Sequence, residues 1–195
     1  MQSKWLIGLS GTNGAGKDAV GLLLAQKHHF LFISVTELLR KEAERRGLPV
    51  ERQFLRKISA EWRREFGYAV LVDRAVKQYE PVKEQYAGLV LASLRNPVEA
   101  DRVHELGGTM LWIDGDPQIR YQRIRNNAAA RNRGGEDDVT FEQFQIQEAA
   151  EMHARGDDAA LLDMAEVKTR CELELINNSD DLDDLDRRVA TILNL

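Results

Sequence analysis

A glycine-rich stretch near the N-terminus, GLSGTNGAGKDAV (residues 8–20), constrains the fold of this chain more than any other feature. It follows a short apolar run at residues 5–10, which predicts a buried strand, and it leads into residues 17–27, whose apolar side chains recur at helical spacing. A strand, a glycine-rich turn and a helix in this order can bind an anion, because backbone N–H groups converge at the positive end of the helix. We therefore expect a phosphate group to bind at this turn.

The spacing of the stretch fits the phosphate-binding loop pattern G-x4-G-K-[ST] in every position but the last. The glycines let the backbone approach the phosphates closely, and Lys17 adds a full positive charge that reaches the β and γ phosphates of a nucleoside triphosphate. We therefore expect Lys17 to be catalytic as well as nucleotide-binding. The expected nucleotide-binding residues are Gly11, Thr12, Asn13, Gly14, Ala15, Gly16, Lys17 and Asp18.

Asp18 stands where the pattern has a serine or threonine whose hydroxyl binds Mg²⁺. A carboxylate is also a hard oxygen ligand, so Asp18 can hold the metal directly or through water. The alternative is that Asp18 is only a helix-start carboxylate, which the positive end of the helix dipole favours. Both interpretations stay open, and the expected cofactors are ATP and Mg²⁺ with Asp18 as the candidate metal ligand.

Composition excludes several other classes of protein. A chain of 195 residues that is 43% apolar and 30% charged has the make-up of a soluble globular domain. The net charge of −5 argues against a nucleic-acid partner, and the single cysteine, Cys171, excludes an internal disulfide. No apolar run has the length of a signal-peptide core or a membrane span, so we expect a cytoplasmic protein that does not contact membranes.

Strand-like and helix-like segments alternate along the rest of the chain. Helical patterns separate the strands; residues 51–79 are predicted to be helical with a break near Gly67, and Thr36 is the expected N-cap of a helix that Gly47 closes. The alternation predicts an α/β fold, a three-layer doubly wound parallel sheet of about five strands, in a single domain spanning residues 1–195. The predicted strands are residues 5–10, 30–35, 88–94, 109–114 and 171–178.

These segments together resemble the nucleoside-monophosphate-kinase-like P-loop kinases, which include relatives of adenylate kinase, dephospho-CoA kinase and deoxynucleoside monophosphate kinase. The resemblance implies a P-loop NTPase-type fold with a helical lid insertion. It also implies an acceptor-binding helical segment at about residues 36–80 and a lid-like segment at about residues 127–158. The segments that carry it are GTNGAGKD, ISVTELLRKEAERRG, LVLASLRN, WIDGDPQIRYQRIR and RNRGGEDDVTFEQF.

The resemblance further implies which arginines contact the substrates. Arg40 and Arg95 match the family's acceptor-binding arginines after the second and third strands, and Arg95 is also an expected catalytic residue. Arg123, Arg131 and Arg133 match catalytic lid arginines. Guanidinium groups suit this role because they grip phosphate oxygens in pairs, and phosphoryl transfer requires fixed positive charge. The residues alone leave an alternative for each: an ion pair for Arg95, and solvent-facing charge for the others.

The sequence departs from the family at the end of the third predicted strand. Such kinases often carry an acidic residue there that helps to hold the Mg²⁺ shell, whereas this chain has Ala92 and Ser93. Both usual positions on the magnesium side are therefore altered. One interpretation is that Asp18 supplies the carboxylate that Ala92 and Ser93 lack.

The sequence thus predicts an ATP-dependent kinase that transfers the γ-phosphoryl group to a nucleoside monophosphate or a related phosphorylated, nucleotide-like acceptor. Dephospho-CoA kinase-like activity and a nucleotide-binding regulator without phosphoryl transfer are the alternatives. A GTPase fits worst, because the sequence lacks an Asn-Lys-x-Asp guanine signature. The expected partner is a small molecule, with neither nucleic acid nor membrane, and the expected assembly is a monomer or homodimer.

Overall fold

The computed structural model describes residues 5–127, 138–152, 160 and 162–195, and strands and helices alternate along them. The strands are β1 (Leu6–Gly11), β2 (Phe30–Ser34), β3 (Gly88–Ala92), β4 (Thr109–Asp114) and β5 (Leu173–Ile176). The helices are α1 (Lys17–His28), α2 (Val35–Arg45), α3 (Arg52–Phe66), α4 (Val70–Tyr79), α5 (Pro97–Glu105), α6 (Pro117–Asn126), α7 (Phe141–Met152), α8 (Met164–Thr169) and α9 (Leu182–Leu193), with a 3₁₀ helix at Glu80–Gln85.

The strands form one five-stranded sheet in the order β2-β3-β1-β4-β5, and every neighbouring pair is parallel. This confirms the predicted doubly wound α/β fold. The connections leave β1 and β4 in opposite directions, so the carboxyl ends of these two strands form a topological switch point, where open α/β sheets bind ligands. The glycine-rich loop lies at this switch point.

Alternate residues of each strand pack on opposite faces of the sheet. On one face, Leu6 and Leu91 belong to a core with residues of α2, α3, α4, α5 and α8. On the other face, Ile7 and Val90 pack with residues of α1 and α9. Helices thus cover both faces, which explains why the central strands β1 and β3 are buried throughout and carry no alternation of apolar and charged residues.

Several predicted boundaries differ from the structure. The prediction that Thr36 is an N-cap was wrong, because β2 stays paired with β3 as far as Ser34 and the helix begins at once with Val35. The third strand ends at Ala92 because Ser93 has a left-handed φ of 71° and leaves the extended conformation. The predicted break in residues 51–79 is confirmed, since Gly67 ends α3 with a φ of 96°.

The predicted last strand is shorter than expected and forms only over Leu173–Ile176. Among the described helices, none combines the length and the apolar composition that crossing a membrane requires.

Candidate functional site

The glycine-rich loop joins the carboxyl end of β1 to α1, and its shape depends on glycine. Gly11, Gly14 and Gly16 all have positive φ values, of 137°, 79° and 101°. A Cβ on Gly11 would lie 1.9 Å from the carbonyl oxygen of Ile113, and one on Gly14 would lie 2.6 Å from that of Arg120. Both the backbone conformation and the space therefore exclude larger residues here.

Lys17 folds back into this loop. Its Nζ donates hydrogen bonds of 2.8 Å to the carbonyl oxygen of Gly11 and 2.6 Å to that of Thr12, and the side chain is only 9% exposed. Gly16 is the N-cap of α1, and among the described residues no side chain caps this helix end. An anion in the loop would thus meet both the ammonium group and the N–H groups of the first helical turn.

The end of β4 and the start of α6 support the loop from one side. Thr12 Oγ1 donates a hydrogen bond of 2.7 Å to Asp114 Oδ1. Arg120 is buried, and its Nη1 donates to the carbonyl oxygen of Asn13 at 3.1 Å. The same guanidinium pairs with Glu148 of α7, with Nη2 2.9 Å from Oε2. Arg120 thus connects the loop to α7.

The segment after β5 supports the loop from another side. Asn177 Nδ2 donates to the carbonyl oxygen of Ala15 at 2.9 Å. Arg123 donates to the carbonyl oxygens of Asn177 at 2.9 Å and Ser179 at 2.7 Å, and to Asp180 Oδ1 at 2.7 Å. Arg123 therefore joins α6 to this segment, which contacts the glycine-rich loop through Asn177. The catalytic role of Arg123 stays a prediction.

Asp18 occupies the second position of α1 and its side chain is exposed. Mg²⁺ at a nucleotide is commonly held by one or two carboxylates together with phosphate oxygens and water. An exposed carboxylate directly after Lys17 fits that donor set. At the end of β3, Ala92 is fully buried, whereas Ser93 lies on the wall of the cavity described next.

A cavity opens beside the loop, between α2, α3, α4 and the segment after β3, with about 630 Å³ of empty space including its mouth. Apolar side chains form part of its wall, namely Val35, Leu39, Val50, Leu55, Leu71 and Leu162. The rest is dominated by arginines, namely Arg40, Arg52, Arg56, Arg63 and Arg95. The structure thus brings the two predicted acceptor-binding residues, Arg40 and Arg95, together in one cavity.

Glu151 of α7 contacts three of these arginines. Its carboxylate oxygens lie 3.0 Å from Arg52 Nη1 and 3.1 Å from Arg95 Nη1, and Arg56 pairs with it as well. Burial raises the pKa of Glu151, but the opposing effect of Arg95, Arg52 and Arg56 is larger, and the pKa lies below its usual value. Glu151 is therefore an ionised carboxylate inside an arginine cluster.

A second carboxylate, that of Glu99, holds the backbone at Arg95. Glu99 and Arg63 form a buried ion pair, with side chains 0% and 2% exposed and Oε1 2.6 Å from Nη2. The other oxygen of Glu99 accepts hydrogen bonds from the backbone N–H groups of Arg95 at 2.9 Å and Asn96 at 3.1 Å. The start of α5 and the direction of Arg95 are thus tied to α3.

Sequence reasoning missed Arg52, Arg56, Arg63, Glu99 and Glu151. The three arginines recur four and seven residues apart, which predicts that they share one face of α3 but does not indicate what that face contacts. The two glutamates have no such spacing, because only the folded chain brings them to the arginines of the cavity.

Part of the predicted lid lies outside the described residues. Arg131 and Arg133, two of the predicted catalytic arginines, fall there. Of the segment at about residues 127–158, the structure describes residue 127 and residues 138–152, which contain α7.

Comparison with known sequences finds relatives at low identity. No protein-family model matches the chain. It is 23% identical over 191 residues to a UPF0200 protein of Pyrobaculum aerophilum, with 96% of each chain covered. It is 27% identical over 164 residues to a UPF0200 protein of Pyrococcus abyssi, covering 81% of this chain and 84% of the relative. It is also similar to a UPF0200 protein of Methanocaldococcus jannaschii, at 25% identity over 181 residues, or 91% and 88% of the two chains.

Comparison with solved structures finds kinases. A shikimate kinase from Bacteroides thetaiotaomicron matches with a TM-score of 0.59 and 19% identity over 97% of this chain and 98% of that one. A gluconokinase from Sinorhizobium meliloti matches with a TM-score of 0.54 and 17% identity over 100% and 94%. At such identities the likeness concerns the fold. Together with the parallel sheet and the loop at the end of β1, it shows that the chain shares the P-loop kinase fold of these two proteins.

Proposed function

We propose that this protein is an ATP-dependent kinase that transfers the γ-phosphoryl group to a small acceptor carrying an anionic group, foremost a nucleoside monophosphate. The observation that carries the proposal is the juxtaposition of the glycine-rich loop and the arginine-lined cavity. The loop follows β1 and the cavity lies at the end of β3, and these strands are paired neighbours. Ser93 N–H donates to the carbonyl oxygen of Leu9 at 3.0 Å, so the two sites meet at one edge of the sheet.

In this proposal the loop from Gly11 to Asp18 binds the polyphosphate of ATP. Lys17 exchanges its two carbonyl partners for phosphate oxygens, and the open end of α1 faces the same anion. Asp18 is the carboxylate that would contact Mg²⁺, directly or through water. Mg²⁺, when bound, neutralises charge on the β and γ phosphates.

The cavity binds the acceptor, with Arg95 and Arg40 near its anionic group. An acceptor phosphate oxygen attacks the γ phosphorus, the bond from that phosphorus to the β–γ bridging oxygen breaks, and ADP leaves with the electron pair. Because an acceptor phosphate is already ionised near neutral pH, it needs no general base. The cationic side chains contribute by placing the reactants and by offsetting the negative charge of the transition state.

Acceptor-dependent ADP formation tests this proposal. The acceptor panel contains the nucleoside monophosphates, dephospho-CoA, and shikimate and gluconate, the substrates named by two kinases of similar fold. We expect ADP formation with one nucleoside monophosphate to exceed the acceptor-free rate by about tenfold or more, an increase that a correctly placed acceptor readily gives. ATP binding without any acceptor-dependent ADP formation would contradict the proposed kinase activity and favour a nucleotide-binding regulator without phosphoryl transfer.

A further inference from the structure

The Glu151 carboxylate is held as a substrate anion would be held. Its Oε1 contacts Arg52 and Arg56, and its Oε2 contacts Arg95, so three guanidinium groups surround two oxygens. The side chain of Glu151 is only 12% exposed. It lines a neighbouring pocket that shares Arg52 and Arg56 with the arginine-lined cavity, and Arg95 lies on the wall of that cavity as well. Clusters of guanidinium groups around paired oxygens are typical of phosphate and carboxylate recognition.

Lys17 of the glycine-rich loop also influences the charge of Glu151. Besides Arg95, Arg52 and Arg56, the charge of Lys17 in the nucleotide loop lowers the pKa of Glu151, so the loop ammonium acts on the same carboxylate. The contacts of Glu151 with Arg52, Arg56 and Arg95, all of which line the cavity, place its carboxylate on donors that an acceptor anion in the cavity would use.

The charges in this contact favour a ligand with more than one negative charge. Three guanidinium groups meet one monoanionic carboxylate. A phosphate dianion offers a third oxygen and a second negative charge to the same donors. A ligand with one carboxylate offers the same two oxygens and single negative charge as Glu151. Exchange of Glu151 for a phosphate group therefore gains electrostatic energy, and exchange for a simple carboxylate does not.

Glu148 provides a comparison on the same helix. It lies one turn before Glu151 on α7 and pairs with Arg120, which contacts the loop carbonyl of Asn13. Glu148 is thus a carboxylate of the same helix face that pairs with an arginine outside the cavity wall.

We propose that Arg52, Arg56 and Arg95 form the anion subsite of the acceptor, and that Glu151 is its internal occupant, displaced by an acceptor that carries a phosphate dianion. The inference rests on the proposed function for what the subsite is used for. Because the occupied subsite must be vacated first, the affinity for an acceptor is lower than the arginines alone would give. Glu151 thereby selects phosphorylated acceptors over those with a single carboxylate.

Titration with inorganic phosphate, without ATP, tests the subsite. We expect Glu151→Gln to bind phosphate about tenfold or more tightly than the wild-type chain, because the internal competitor is removed. The matched control Glu148→Gln removes the same charge from the same helix. Because its partner Arg120 contacts the loop, this control is compared in a Lys17→Met background, where it should change the affinity by no more than about twofold since Arg120 lies outside the cavity. Acetate should bind the wild-type chain more weakly than phosphate does.

Each titration is repeated in a Lys17→Met background, which removes phosphate binding by the loop. The gain in Glu151→Gln should persist there. Its disappearance in that background, an equal gain in Glu148→Gln, or an unchanged affinity in Glu151→Gln would each overturn the proposal.

A second variant applies if Glu151→Gln does not fold. Arg56→Gln removes one donor from the subsite and should weaken phosphate binding by about tenfold, the usual loss for a charge-assisted contact; an unchanged affinity contradicts the subsite. These titrations involve no turnover, so they separate two failures. Phosphate binding as expected in an inactive protein contradicts only the kinase, whereas acceptor-dependent ADP formation with unaltered phosphate affinity contradicts only the subsite.

Discussion

Single residues decide the stability of the arginine-lined cavity, and Glu99 is the clearest example. It neutralises Arg63 and accepts from the backbone N–H groups of Arg95 and Asn96, and the side chains of Glu99 and Arg63 are both buried. Removing such a carboxylate leaves a buried guanidinium without its counter-charge and two N–H groups without this acceptor. The cost should therefore be much larger than for a surface ion pair.

Glu99→Ala should destabilise the protein by about 3–5 kcal/mol, as is usual when one partner of a buried ion pair is removed. The control is Asp73→Ala, which removes the partner of Arg102 in a pair whose side chains are 35% and 49% exposed and should change stability by about 0–1 kcal/mol. Urea denaturation measures both values. Equal losses in the two variants would show that Glu99 does not tie α3 to the start of α5.

Asp18 is the second residue whose role can be measured. If its carboxylate contacts Mg²⁺, Asp18→Ala should reduce the gain in ATP affinity that Mg²⁺ brings by about tenfold, while Asp18→Ser should retain part of it because a hydroxyl is also an oxygen ligand. ATP titrations with and without Mg²⁺ give this comparison. If neither substitution alters the effect of Mg²⁺, Asp18 is a helix-start carboxylate only.

At the scale of elements, the strand, loop and helix of residues 6–28 could be predicted from the sequence, because the patterns that indicate them are local. Apolar runs, glycine spacing and the lysine lie within a few residues of one another. The arginine stripe of α3 did not follow, because a charged helix face has the same pattern whether it meets solvent or a cavity. Glu151, whose contact shows that this face of α3 is not simply solvated, lies 95 residues from Arg56 in the chain.

The conformation of the loop predicts that ATP binding requires glycine at position 14. Gly14→Ala should abolish detectable ATP binding, because its φ is 79° and a Cβ would lie 2.6 Å from the carbonyl oxygen of Arg120. Gly47 also has a positive φ, of 67°, but no described atom lies within 4 Å of a Cβ there.

Gly47→Ala is therefore the matched control. It should lose about 1–2 kcal/mol of stability from the left-handed backbone alone and keep the wild-type affinity for ATP. Calorimetric titration and urea denaturation distinguish the two effects. An alanine at position 14 that still binds ATP normally would show that the loop does not need the close approach seen at Gly14.

For the whole molecule, the alternation of strands and helices predicted the sheet. The strand order explains why the glycine-rich loop and the arginine-lined cavity are neighbours, because β1 lies between β3 and β4 and the ends of β1 and β3 meet at the same edge. That Arg40 and Arg95 contact an acceptor stays a prediction that rests on a family resemblance; the structure shows that both line one cavity. The contacts of Glu151 with the cavity arginines depend on how α7 packs against α3, which no local pattern encodes.

Binding of ATP to the intact chain tests the central claim most directly, because every other step depends on the loop holding a polyphosphate. Calorimetric titration with Mg²⁺–ATP should show binding by the wild-type chain, and Lys17→Met should weaken it by about tenfold or more. Lys27→Met, on the same helix but paired at the surface with Asp183, should bind like the wild type. A wild-type chain that gives no heat of binding, or a Lys17→Met variant that binds equally well, would contradict the account.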